Sequence, residues 1–183
     1  MADYLALPGS PAYSHFRLVE LKEALDQQLP VGPKVTKIRS IHVHYVCPKD
    51  EAAAATLRNP DSPERKILEK LLVYGDKSSD LRTDRETLNL TTALKGEEIK
   101  DELNRLVLHI APRKGTISPW SSKATSIAHV CGLGNLVERI ERGLLVSLIF
   151  DGEYKNSGER YPFADDFHDR MTQVGLYDGA VAT

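Results

Sequence analysis

The stretch Ala111–Gly143, APRKGTISPWSSKATSIAHVCGLGNLVERIERG, leaves little freedom in what it can become. A β-rich run, Leu106–Ile110, leads into Pro112 and a glycine turn at Gly115. A helix start follows at once. Ser118 is placed as an N-cap. Pro119 falls at the first helical position, where a missing N–H costs nothing because that donor has no helical partner. Trp120, Ala124, Ile127, Ala128 and Cys131 recur at helical spacing and predict one apolar face. Gly132 is placed to close the helix in a left-handed conformation. Ser121, Ser122 and Thr125 crowd the first turns with hydroxyls, joined by Lys123. A helix needs none of these to fold, so they ask for a functional reason.

The same succession occurs earlier. A short strand, Tyr4–Leu7, meets a Pro-Gly-Ser-Pro turn, and a helix follows from near Ser14 to Leu29. Phe16, Val19, Ala24 and Leu25 predict its apolar stripe. Val35–Cys47 then reads as a long strand, with Ile41, Val43 and Tyr45 alternating. In the second half, Leu106–Ile110, the Ser118–Cys131 helix and a strand from Val137 to Phe150 repeat that order. Val35-Thr36-Lys37-Ile38-Arg39-Ser40 aligns with Val137-Glu138-Arg139-Ile140-Glu141-Arg142. The fold class expected is α+β, with two strand–helix–strand halves in one pseudo-twofold domain. Half one spans about 1–75 and half two about 103–150. Within half one, Ser62-Pro63 starts a further helix with Ile67, Leu68, Leu71 and Leu72 buried and Gly75 at its end. A variable, charged connection covers 76–102, with a helical piece expected near Glu97–Leu103. Gly152–Gly158 reads as a surface loop. A terminal helix is expected over 163–172 and a flexible tail over 175–183.

At 183 residues, one domain is the natural expectation. The net charge of -2 makes no electrostatic case for nucleic acid or an anionic membrane. No apolar run approaches the roughly 20 residues of a membrane span. The opening MADYLALPGS lacks a basic region and a long apolar core, so no secretion signal is expected. Two cysteines, Cys47 and Cys131, make no disulfide framework and fit a reducing cytoplasm.

The candidate chemistry gathers at the Gly115 turn. A helix N-terminus offers unpaired N–H groups and partial positive charge to a phosphate or carboxylate. Arg113, Lys114 and Lys123 could add charge there, and Ser121 and Ser122 donors. The same residues also fit a well-capped helix with a solvated face, and local sequence leaves both readings open. His42 and His44 share a strand face, a spacing that can seat a metal only with further ligands. None is evident, and a polar strand face accounts for the pair. Cys131 sits at the C-terminal end of its helix, where a thiolate is disfavoured, and reads as core packing. Glu138, Arg139, Glu141 and Arg142 form a charge-dense strand, fit either for solvated edge pairs or for an interdomain surface. No phosphate loop, dinucleotide fingerprint or paired-carboxylate motif occurs, so no catalytic residue and no metal site is assigned.

Gly115–Thr125, GTISPWSSKAT, closely resembles the longest phrase of the phosphoribosylformylglycinamidine synthase family, the large glutamine-dependent enzymes of purine synthesis. The likeness continues through His129-Val130-Cys131-Gly132-Leu133 and Val137–Gly143. Gly9–Arg17, Ile41–Val46, Leu71–Gly75 and His168–Thr172 are similar to further landmarks, in the family's order and in fungal-like wording. Residues 76–102 and 151–163 carry no match. The resemblance implies an N-terminal domain like a fused pair of the small stand-alone subunit of split bacterial forms. It implies a parent that uses ATP, Mg²⁺ and glutamine to convert formylglycinamide ribotide to its amidine. The partners implied are the synthetase and glutaminase regions, which this chain lacks, so the isolated chain is expected to be inactive and to hold no cofactor. It reads as an excised domain or a truncated relative. An interdomain or substrate-proximal surface is expected from His44, Arg113, Lys114, Gly115, Thr116, Ser118, Ser121, Ser122, Lys123, Thr125 and Arg170. The alternative is a stand-alone relative that binds a phosphorylated metabolite or a partner enzyme through the Gly115–Lys123 surface.

Overall fold

The computed structural model describes residues 4–29, 32–75, 80–94, 104–113, 115–154, 163, 166, 167 and 173–176. Its elements run β1 (Leu5–Pro11), α1 (His15–Gln28), β2 (Val35–Pro48), α2 (Glu51–Arg58), α3 (Pro63–Leu71), α4 (Arg85–Leu94), β3 (Asn104–Pro112), α5 (Pro119–Ala128), β4 (Val137–Phe150) and β5 (Gln173–Leu176). The class is α+β, with one five-stranded sheet in the order β1-β2-β4-β3-β5. Every neighbouring pair is antiparallel.

Alternation along the central strands assigns the two faces. Ile38 lies opposite Leu148 and Val46 opposite Ile140, and these look to one side. Leu18, Leu21 and Leu25 of α1 pack there against Val35 and Ile38 of β2, Leu106, Leu108 and Ile110 of β3, and the end of β4. Ala128 of α5 joins a second cluster on that face, with Val137 and Ile140 of β4, Val46 of β2 and Leu7 of β1. Each helix thus closes against strands on both sides of the β2–β4 seam. Full burial of each such leucine is worth about 2 kcal/mol. The opposite face carries Ile41, Val43 and Leu145 beneath Leu90 of α4.

Local chemistry explains the helix starts. Ser14 accepts from the Arg17 N–H at 3.3 Å, Ser62 from Arg65 at 3.1 Å and Ser118 from Ser121 at 3.0 Å. Asp84 starts α4 and ties it to the sheet. It accepts from the Glu86 N–H at 3.0 Å and pairs with Lys37 at 2.8 Å and Arg39 at 3.0 Å. Burial alone would raise its pKa, but these two cations bring it down to about 2.

Several expectations need correction. The buried stripe of α1 is Leu18, Leu21 and Leu25, whereas Phe16 and Val19 are exposed. On α3, Ile67 is exposed and Leu68 is buried. Ile127 and Cys131 lie outside the core. For Cys131 the reason is that α5 gives way to a π segment, His129–Leu133, so helical spacing no longer holds there. Gly132 does take a left-handed φ of 88°. The connection over 76–102 contains α4, and α2 lies unannounced inside the first half. Gly175 and Leu176, assigned to the tail, belong to β5. The helical piece expected near Glu97–Leu103 lies outside the described residues. So does most of the terminal helix, although Phe163 and Phe167 are buried in the first cluster.

Candidate functional site

The hydroxyls at the start of α5 have a structural employment. Ser121 is fully buried, not on the solvated side, and its Oγ donates to the Ile140 carbonyl at 2.7 Å. Thr125 Oγ1 accepts from the Ile140 N–H at 3.0 Å. Pairing of β3 with β4 ends at Ile110 and Leu144, so Ile140 lies beyond the reach of that ladder. Two side chains one helical turn apart take the place of a strand and satisfy both backbone polar groups of one residue at the sheet's edge.

The rest of the expected surface divides. Ser122 and Lys123 are exposed, with Ser122 Oγ turned back to the Ser118 carbonyl at 3.4 Å. Arg113 Nε donates to the Gln173 carbonyl at 3.2 Å, and Thr116 Oγ1 donates to the Arg113 carbonyl at 2.6 Å. Gly115 adopts φ +84°, which a residue with a Cβ rarely takes. The Thr116 carbonyl accepts from Arg139 Nη2 at 2.9 Å, and Arg139 also pairs with Glu141. The turn before α5 is therefore fastened to the charge-dense strand. Lys114 and Arg170 lie outside the described residues.

His44 joins this region through a group that sequence reading did not assemble. Its ring is fully buried and stacks on Trp120, with centroids 5.6 Å apart. Its Nε2 lies 2.7 Å from the Tyr74 hydroxyl. Arg142, the cross-strand partner of His44, places its guanidinium 4.7 Å from the centre of the Trp120 ring. The positive charge of Arg142 also reaches the Tyr74 hydroxyl and works against the rise in its pKa that burial causes. Either group can donate in the His44–Tyr74 pair, because a hydroxyl both donates and accepts and the imidazole tautomer sets the role of Nε2. His42 completes the group, 6.0 Å from the Tyr74 ring. Gly9 makes room for it, since a Cβ there would stand 2.5 Å from His44 Cε1.

The electrostatics follow from burial. Desolvation, then the charge of Arg142, lowers the His42 pKa to about 4, against a smaller upward pull from the Gly143 carbonyl. Desolvation, then His42 and Arg142, lowers His44 to about 3. Both rings are neutral at pH 7. Sequence gave the shared face of His42 and His44 but not their neighbours. Arg142 meets His44 only through the β2–β4 register, and Tyr74 arrives from the turn after α3.

Among the described residues, no three His, Cys, Asp or Glu side chains gather as a metal site. No described helix is long and apolar enough to cross a membrane. The class defined by fold and site is an α+β domain with helices on both faces of one antiparallel sheet and an aromatic–histidine–arginine group beside the start of α5. Residues 41–182 match the family described as Formylglycinamide ribonucleotide amidotransferase N-terminal, and the chain belongs to that family. Over 146 residues it is 40% identical to a phosphoribosylformylglycinamidine synthase of Saccharomyces cerevisiae (strain ATCC 204508 / S288c), an overlap of 79% of this chain and 10% of that protein. The chain therefore spans about a tenth of the length of that relative.

Proposed function

We propose that this chain is the N-terminal assembly domain of a cytoplasmic phosphoribosylformylglycinamidine synthase, spanning 1–183 as one domain. Its role is to hold a synthetase region and a glutaminase region in register, so that ammonia released from glutamine reaches the activated ribotide amide without escaping to water. The observation that carries this reading is the family match over residues 41–182, joined to a relative of which this chain covers a tenth. ATP and Mg²⁺ belong in this reading to the rest of the parent.

Two features fit a domain that docks. Phe16 and Val19 on α1, and Ile127 and Val130 at the end of α5, turn apolar side chains outward, with Phe16 72% and Val130 88% exposed. Apolar side chains left outside on both helices of one face suit coverage by further chain, and the occupant proposed is the remainder of the parent. The other reading, a stand-alone binder of a phosphorylated metabolite through 115–123, finds less support. Ser121 and Thr125 are already engaged with Ile140.

The domain is also read as a fused pair of equivalent units related by a pseudo-twofold axis. Val35 and Val137 open the two central strands, and Pro48 and Phe150 end them. The residues at the same place in each, His42 and Leu144, face one another across the ladder, as a twofold axis through a sheet requires.

The test is removal of this domain from a full-length synthase. Glutamine-dependent amidation of the ribotide is expected to fall far more than amidation driven by added ammonia. Supplying the purified chain in trans is expected to restore the coupling. The chain alone is expected to release neither glutamate from glutamine nor ADP from ATP. Coupling that survives the deletion, or chain-alone turnover that responds to point mutations, would refute the reading.

A further inference from the structure

We propose that Arg142, together with Tyr74 and Trp120, forms a binding site for a carboxylate, with the guanidinium as the fork that grips its two oxygens. The geometry begins with a charge that is placed but not paired. Among the described residues no carboxylate lies within ion-pair distance of Arg142. It lies over the Trp120 face, 4.7 Å from the ring centre, close enough to Tyr74 for its charge to act on that hydroxyl. By contrast, Arg65 is paired with Glu69, Arg105 with Glu86 and Arg139 with Glu141. Arg142 is only partly exposed, so water replaces a partner incompletely.

The setting orients it. Trp120 is held from its other contacts by His44, stacked at 22° between ring planes, and by Tyr74, 6.1 Å away. The Trp120 face supports the planar group from one side, and no hydrogen bond among the described residues occupies its N–H donors, which leaves them for a ligand. Arg–carboxylate pairs are short, charge-assisted and frequently bidentate. The imidazoles set the charge that suits the site. His42 and His44 are neutral, so the histidines bring no positive charge at neutral pH. One guanidinium beside neutral rings matches one carboxylate. A phosphate dianion would bring a second negative charge with no second positive charge to meet it.

The ligand can be a free small carboxylate or an acidic side chain of a docked parent region, and the experiment separates them. Trp120 is the only tryptophan of the chain, so its emission and its indole N–H resonance report on the site directly. Sodium acetate is titrated into the purified chain against sodium chloride at equal ionic strength. A saturable change in both signals is expected, absent in R142Q. R142K keeps the charge and loses the fork, and is expected to bind at least about fivefold more weakly. Y74F removes the hydroxyl beside the guanidinium and is expected to weaken binding severalfold, with the indole signal of the folded protein retained. No saturable response, an equal response in R142Q, or inorganic phosphate binding tenfold more tightly than acetate would overturn the proposal. If R142Q does not fold, unchanged acetate affinity in R142K overturns it. This arm is independent of the synthase reading. A second arm, which rests on it, repeats the titration on the ¹⁵N-labelled chain mixed with the unlabelled remainder of the parent. Loss of the acetate response identifies a parent carboxylate in the site, and its persistence identifies a free one.

Discussion

The segments β1–α1–β2 and β3–α5–β4 share a plan and differ in what lies beneath the helix. Under α1 the contact is dry: three leucines meet leucine, isoleucine and valine from three strands. Under α5 the contact is directional. Ser121 and Thr125 hold the Ile140 peptide, and Trp120 lies between His44 and Arg142 chemistry. The dry side specifies only shape and volume, whereas the polar side specifies angles, protonation state and partner identity. The difference teaches that one scaffold can keep one side for stability and give the other to recognition, provided that neither side folds alone.

Separating the two segments tests that last condition and has the largest expected effect. Leu106, Leu108 and Ile110 of the second segment close the cluster under α1, and Leu7 of the first joins the cluster under α5. Residues 1–75 or 104–154 expressed alone are expected to be unfolded monomers, read by amide dispersion and circular dichroism. Folding that appears only as concentration rises would favour the paired-unit reading, since a second copy could stand in for the missing segment. A monomeric half with cooperative melting would end it.

Within the dry side, Leu25→Ala removes a fully buried side chain among well-packed neighbours. The expected loss is about 2–5 kcal/mol in urea melts. Trp120→Ala on the polar side is expected to cost less, because Trp120 is only partly buried. The reverse order would mean that the aromatic group, not the leucine cluster, carries the fold.

Acid should separate the two sides next. Unfolded histidine titrates near 6.5, whereas His44 in the fold does so at about 3. The unfolded chain therefore binds more protons between those values, and stability falls as pH drops below about 6.5. For His44, which is fully buried, the slope is on the order of 1 kcal/mol per pH unit. His42, lowered to about 4, adds to the loss in the upper part of the window. Asp84, at about 2 in the fold, contributes stability that goes only below about pH 4, so its loss is distinguishable. Urea midpoints from pH 7.5 to 5 measure the effect. The slope should shrink in His44→Gln. An equal slope in that variant would place the acid sensitivity elsewhere.

Legibility in the sequence follows the same divide. Strand order within each segment, the serine caps and the turn glycines were readable, because each is a local rule with a local residue: Ser14, Ser62, Ser118, Gly115, Gly132. The stripe of α1 was readable only at Leu25. That helix carries apolar residues on more than one side, and periodicity chose Phe16 and Val19, which face outward. Only the position of β3 and β4 tells Leu18 and Leu21 from them. Helix α4 was lost for another reason: its buried Glu86 is paired with Arg105, a partner on a different element. The surplus hydroxyls of α5 stand out in the sequence, but the partner of Ser121 and Thr125, the Ile140 backbone, is invisible without knowing where β3 stops. The site was hardest. His44 was named, while Tyr74, Arg142 and Gly9 enter through register and through the turn after α3, neither of which short-range spacing encodes.

The smallest expected effect falls on Ser122 and Lys123, and it bears most directly on recognition. Both are exposed, and Ser122 makes only a long bond, 3.4 Å, to the Ser118 carbonyl. Substitution on such a face usually changes stability by less than about 0.5 kcal/mol. Ser121, beside them in sequence, is the control. Its alanine variant leaves the Ile140 carbonyl without its buried donor and is expected to cost about 1–3 kcal/mol. Ser122→Ala and Lys123→Ala are therefore expected to melt with the parent chain, while Ser121→Ala melts well below it. If the polar side of α5 serves assembly, the first two substitutions, placed in a full-length synthase, should still reduce ribotide amidation relative to glutamine hydrolysis. Melting of the isolated chain and steady-state coupling in the long enzyme are both required. Unchanged coupling in both variants would confine the role of this helix start to the Ile140 clamp and the Trp120 group. Unfolding by either variant would mean that the exposed face, too, is part of the scaffold.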